Sequence, residues 1–180
     1  MFLNDLFNVF NCFVFVFKIF SIELTMSDAD TNAILTAIGQ TMGDTNDDTK
    51  LESTKAMFHA LVLAQKCFSS EPERNAIMGM IAENCLCTNF SVKKAAFECC
   101  VQVATEHYDH LQPYMNKLGE LTFGAIKKEE EDVALPALEF WSTVCDEEAY
   151  LKEMAEDAAY DFFCFPIACC SFHHQSEHLV

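Results

Sequence analysis

A chain of 180 residues with 51% hydrophobic side chains carries enough apolar surface for one sizeable core or for about four helical repeats. Its 28 acidic residues against 11 basic ones give a formal charge of −17, and a surface of that sign repels phosphate backbones, which argues against DNA or RNA as a direct partner. Only 5 Gly and 4 Pro occur, which disfavours a turn-rich β fold. Basic peptides or basic proteins are the electrostatic complement of this charge, although a solvated acidic face is its more ordinary explanation.

Residues 1–26 are unlike the rest. Phe stands at positions 2, 7, 10, 13, 15, 17 and 20, mixed with Asn, Val and Ile. A secretory signal calls for basic residues ahead of its apolar stretch, and the early charge here is Asp5. A membrane span calls for about twenty uninterrupted apolar residues, and this stretch is broken by Asn4, Asp5, Asn8, Asn11 and Lys18. It reads as a segment foreign to the remainder; the alternative is a membrane anchor over residues 2–24. Met26 is followed by Ser27-Asp28-Ala29-Asp30, a polar, acidic start that suits an N-terminus or a helix boundary.

From Asp30 to about Met154 the apolar spacing predicts six helices in three antiparallel pairs, over about 30–68, 70–108 and 111–154. The first helix starts from a cap at Asp30 or Thr31 and places Ile34, Leu35, Ile38 and Met42 on one face, ending at Gly43. The second runs without interruption from about Thr49 to Phe68, with Leu51, Phe58, Leu61 and Val62 inward. The third opens on a predicted capping box, Ser70-Glu-Pro-Glu73, with Pro72 in the first turn, where its missing N–H costs nothing, and buries Ile77, Met78, Ile81 and Cys85. The fourth begins at Ser91 and carries Val92, Ala95, Ala96, Cys99 and Val103. The fifth starts near Pro113 with Leu118, Leu121 and Ala125. The sixth follows the acidic run Glu129–Asp132 and carries Val133, Leu138, Trp141 and Val144; Pro136 near its start removes at most one backbone bond.

The second, fourth and sixth helices resemble one another. Thr49–Met57 recurs as Val92–Cys100 and again as Val133–Trp141, at spacings of 43 and 41 residues. Small side chains recur at one equivalent position (Ser53, Ala96, Ala137) and larger ones four residues later (Met57, Cys100, Trp141). Helical repeats of this length belong to the HEAT/armadillo class, an all-α, right-handed solenoid in which each helix pair needs its neighbours to bury both faces. An ordinary helical bundle is the competing arrangement, and the near-constant period favours the solenoid.

Chemistry-bearing motifs are sparse. There is no Gly-rich phosphate loop, no Gly-x-Ser-x-Gly and no His-Glu-x-x-His. Cys85-Leu-Cys87 has no supporting ligands nearby. His59, His107 and His110 read as solvent-facing residues on helix surfaces, and Cys145-Asp-Glu-Glu148 reads as a carboxylate cluster in a solvated turn at a helix end. Catalysis is therefore not expected. Cys67, Cys85, Cys99, Cys100 and Cys145 fall on predicted apolar faces, where a thiol serves as a small hydrophobe, as in a reducing compartment such as cytosol or nucleus. Residues 155–180 read as an irregular tail. Cys164, Cys169, Cys170, His173, His174 and His178 are metal-ligand types, but they crowd together without the paired spacing of a structural zinc site.

The run Leu138-Glu-Phe-Trp-Ser-Thr-Val-Cys-Asp-Glu-Glu148 resembles a segment of the early HEAT repeats of the importin-β (karyopherin-β) family. Ile34-Leu-Thr-Ala-Ile38, Glu73-Arg74 with Ile77-Met78, Ala95-Ala-Phe-Glu-Cys99 and Pro113-Tyr-Met115 resemble the same stretch in the same order. The resemblance covers about 27–153 and corresponds to about the fifth to seventh repeats. It implies a nuclear transport receptor of cytoplasm and nucleus that needs no cofactor, carries importin-α and cargo, is released by the GTPase Ran and touches Phe-Gly (FG) nucleoporins at the pore. Within this window it implies an FG-nucleoporin-binding pocket at Leu35, Thr36, Glu73 and Ile77, whereas Ran and the adaptor contact mainly repeats on either side. Gly39 and Ala76 stand where the family commonly has larger apolar residues. The loss of that bulk, at roughly 25 cal/mol per Å², predicts a shallower and weaker pocket. Repeat symmetry suggests a second groove near Met78, Met80, Leu118 and Leu121.

Overall fold

The computed structural model describes residues 27–154. The Phe-rich segment with its alternative membrane anchor, and the Cys/His-rich tail with its metal-ligand residues, lie outside the described residues. Among the described residues no helix is long and apolar enough to cross a membrane, and no group of three His, Cys, Asp or Glu residues could hold a metal ion.

The described elements are helical: α1 (Asp28–Met42), α2 (Asp47–Ala60), α3 (Gln65–Ser69), α4 (Glu71–Cys85), α5 (Phe90–Glu106), α6 (Met115–Lys128) and α7 (Glu131–Met154). Short 3-10 turns at Leu61–Leu63, Tyr108–His110 and Gln112–Tyr114 connect them. α1 pairs with α2, α4 with α5 and α6 with α7, and the pairs stack side by side. The inner helices α2, α5 and α7 pack along most of their lengths, whereas the outer helices α1, α4 and α6 touch one another over much shorter stretches. The stack is thus tight on one side and splayed on the other.

The recurrent small and large positions are all buried: Ser53, Ala96 and Ala137, and with them Met57, Cys100 and Trp141. Cys100 meets Cys85 of α4, and Trp141 stacks on Phe123 of α6, in each case the partner helix of its own pair. Polar groups buried between the helices are satisfied, across repeats at Thr54 and within one helix pair at Trp141. Asn84 donates to the Thr54 hydroxyl at 2.8 Å, Cys99 to the Thr54 carbonyl at 3.4 Å, and Trp141 Nε1 to Thr122 Oγ1 at 2.9 Å. Such pairing matters because a buried donor left unmatched costs about 1–3 kcal/mol. Other bonds bridge neighbouring repeats at the surface: Asn89 to Asp47, Arg74 to Tyr114, and Tyr108 to Glu148, with partners 42, 40 and 40 residues apart.

Several local expectations are corrected. α1 is capped by Ser27, and Asp30 is the third helical residue that completes the capping box, not the cap itself. Ser70 stands at the cap position of α4, but its side chain makes no capping bond, so the predicted box with Glu73 does not form. The second helix is broken after Ala60. The Leu61 carbonyl accepts from Ala64 N at 3.0 Å in a 3-10 turn and also from His107 Nε2 at 2.8 Å, a second bond from outside the helix. α6 begins at Met115, and Pro113 sits in the preceding 3-10 turn. α7 continues through the buried Pro136.

Burial departs from the helical-face reading at four places. Ile34 and Leu138 are 42% and 40% exposed. Cys145 is exposed, and the Cys145–Glu148 run lies within α7, not in a turn. His107 is buried, stacked on Phe68 with ring centroids 3.8 Å apart and planes 10° from parallel.

Candidate functional site

α1 presents Asn32, Leu35, Thr36, Gly39 and Gln40 along one stripe, and α4 presents Glu73, Ala76, Ile77 and Met80 along another. Spacings of three and four residues put each set on a single helix face. The two stripes face each other across the splayed outer layer, with Cys67 of α3 between them, and enclose a groove of about 430 Å³. That volume lies within the range of about 300–1,000 Å³ typical of sites for small ligands and side chains.

Leu35, Thr36, Glu73 and Ile77 all line this one groove. Leu35 and Ile77 are only 6% and 5% exposed, so they form walls that also belong to the core. Thr36 and Glu73 are exposed and sit at the rim. Family resemblance pointed to these four. Asn32, Gln40, Cys67 and Met80 were not among the predicted pocket residues. Asn32 and Met80 lie three residues before Leu35 and three after Ile77, so helical periodicity carried the signal for both.

The two ends of the groove differ. At one end the Cys67 thiol donates to Asn32 Oδ1 at 2.9 Å. Burial raises the Cys67 pKa, and the nearby Glu73 charge adds to the rise, so this residue stays a neutral thiol at ordinary pH. At the other end the Met80 thioether lies against the backbone of Gly39. A Cβ added to Gly39 would stand 2.8 Å from both Met80 Sδ and Met80 Cε. The space that a larger residue 39 would take is therefore held by Met80. Of the residues anticipated in a second groove, Met78, Leu118 and Leu121 are buried in the core, and Met80 lines the α1–α4 groove.

A smaller recess of about 200 Å³ is polar and includes Gln65, Glu106, His107, His110 and Glu147. Beside it Tyr108 donates to Glu148 Oε1 at 3.2 Å. Burial raises the Glu148 pKa, and the bond from Tyr108 partly offsets the rise; Tyr108 is itself raised, by burial and then by the Glu148 charge.

No protein-family model matches the chain. Curated relatives and solved structures do. Over 124 residues the chain is 40% identical to importin subunit beta-1 of Arabidopsis thaliana, which takes in 68% of this chain and 14% of that protein. It is 37% identical over 141 residues to importin subunit beta-1 of Schizosaccharomyces pombe, covering 77% of this chain and 16% of that one. Among solved structures, a Kap95:Nup1 complex is similar with a TM-score of 0.70 and 29% identity, over 76% of this chain and 17% of that chain. The chain thus spans about one-seventh of the length of the curated relatives it matches. Sequence identity and the shared helical solenoid together make this chain a member of the importin subunit beta-1 family, corresponding to one segment of its HEAT repeats.

Proposed function

We propose that residues 27–154 form three HEAT repeats, over about 30–68, 70–108 and 111–154, that act as a protein-binding scaffold in nuclear import. In this reading the α1–α4 groove takes up Phe-Gly repeat segments of nucleoporins. The observation that carries it is the convergence of Leu35, Thr36, Glu73 and Ile77 on one open groove between two outer helices. The similarity to a protein solved in complex with Nup1 supports a nucleoporin-type partner. The chemistry agrees: an aromatic ring gains from burial between apolar walls, and glycine beside it lets the peptide backbone lie flat on the helices. One such contact is weak, and the many repeats of a nucleoporin supply avidity. The protein would work in cytoplasm and nucleus, with importin-α, its cargo and Ran engaging mainly repeats outside the matched segment.

Titration of the full chain with a Phe-Gly peptide, followed by NMR of methyl groups, tests the reading. Leu35 and Ile77 methyl signals should shift in proportion to occupancy; signals that stay fixed at saturating peptide would remove the proposal.

A further inference from the structure

We infer that Met80 is the specificity-determining residue of the α1–α4 groove, its thioether forming a displaceable floor over Gly39 that fits the groove to a ring of phenylalanine size. The inference rests on the reading above, in which the groove takes aromatic side chains. Met80 Sδ and Cε occupy the position that any side chain at residue 39 would need, at 2.8 Å from an added Cβ. Glycine at 39 is thus what allows the thioether to lie directly on the α1 backbone.

The other groove residues are poor candidates for adjustment. Leu35 and Ile77 are locked into the core, Ala76 has nothing to move, and the Cys67 end is tied to Asn32 by a hydrogen bond. Met80 is half-buried, with one side packed against the core and the other in the groove. Methionine is unbranched, reorients about three side-chain bonds and makes favourable contacts with aromatic edges. The polar Asn32, Cys67 and Glu73 end offers a ring little, so the apolar berth is the end bounded by Ala76, Ile77 and Met80. A ring entering there meets the thioether first. Met80 then sets both the depth of the berth and the contact that rewards an aromatic occupant.

The test uses the full chain with 13C-labelled methionine methyl groups, titrated in parallel with a Phe-Gly and a Trp-Gly peptide. The Met80 signal, assigned through Met80→Leu, should show a ring-current shift with Phe-Gly peptide, upfield over a ring face and downfield at a ring edge. Met80→Ala should shift the Phe-to-Trp affinity ratio toward Trp by about fivefold, since it removes the floor and its sulfur contact. Met80→Leu, which keeps the bulk, should shift it less. Gly39→Ala should weaken Phe-Gly binding about threefold or more by pushing the thioether into the groove. Movement of the Leu35 and Ile77 methyls without movement of Met80, and with an unchanged ratio in Met80→Ala, would overturn the Met80 assignment and leave the groove reading standing. If none of the three signals moves, both fall.

Discussion

His107 donates its Nε2–H to the main-chain carbonyl of Leu61 at 2.8 Å, tying the end of α5 to the break between α2 and α3 across 46 residues. The neutral tautomer is the one that fits. Nδ1 is buried and has no hydrogen-bond partner, so a proton there would be stranded. Burial lowers the His107 pKa accordingly. The unfolded chain, with an ordinary imidazole pKa of about 6.5, takes up the proton first as pH falls. The stabilisation is therefore complete above that value and is lost as pH drops through it toward the lowered folded value. Urea midpoints measured at pH 7.5 and 5.5 should fall for the unmodified chain. They should fall less for His107→Gln, which keeps an N–H donor but does not titrate.

Two asparagines at equivalent caps carry different loads. Asn46 accepts from the backbone N–H groups of Asp48 and Thr49, at 2.8 and 3.2 Å. Asn89 does the same for Ser91 and Val92, and its Nδ2 also donates to Asp47 at the start of α2, at 3.0 Å. Asn46→Ala should cost about 1 kcal/mol, the usual loss of a helix cap. Asn89→Ala should cost about 1.5–2 kcal/mol, because an inter-repeat hydrogen bond goes with the cap. Chemical denaturation of the two variants side by side checks the order.

Glycine in a helix interior is destabilising unless something requires it. Gly79 in α4 has no atom within 4 Å of an added Cβ, and at Gly119 in α6 that Cβ would meet Trp141 and Phe123 at 3.9 and 4.0 Å, ordinary contact distances. Gly79→Ala and Gly119→Ala should each stabilise the protein by about 0.5–1 kcal/mol. Gly39→Ala should give no such gain, because its Cβ must displace Met80. Thermal melting of the three variants separates the cases.

Ala76 is exposed in the groove and has room to grow. Ala76→Phe would add roughly 40 Å² of apolar contact to a bound ring, worth about 1 kcal/mol at roughly 25 cal/mol per Å². Affinity for a Phe-Gly peptide should rise about fivefold, as read by fluorescence anisotropy; unchanged or weaker binding would show that this wall does not meet the ring.

Helix pairing was legible because it is written locally. Apolar residues three and four apart mark a buried face wherever they occur, and the 43- and 41-residue spacings set out three copies of it. Ser53, Ala96 and Ala137, small residues in register with larger ones, are all buried. The groove residues Leu35, Thr36, Glu73 and Ile77 came from family resemblance, and their meeting in one groove is a property of the folded chain.

What the sequence by itself determined is the pairing of the helices, their period and most of the buried faces of the stack, which follow from side-chain periodicity within a single window. What only the tertiary structure decided are the relationships one repeat apart: the His107 bond at the break in the second helix and the Met80 thioether over Gly39. Each depends on which surfaces are brought together across some forty residues. A helical face looks the same in sequence whether the neighbour it meets is a wall, a hydrogen-bond donor or solvent.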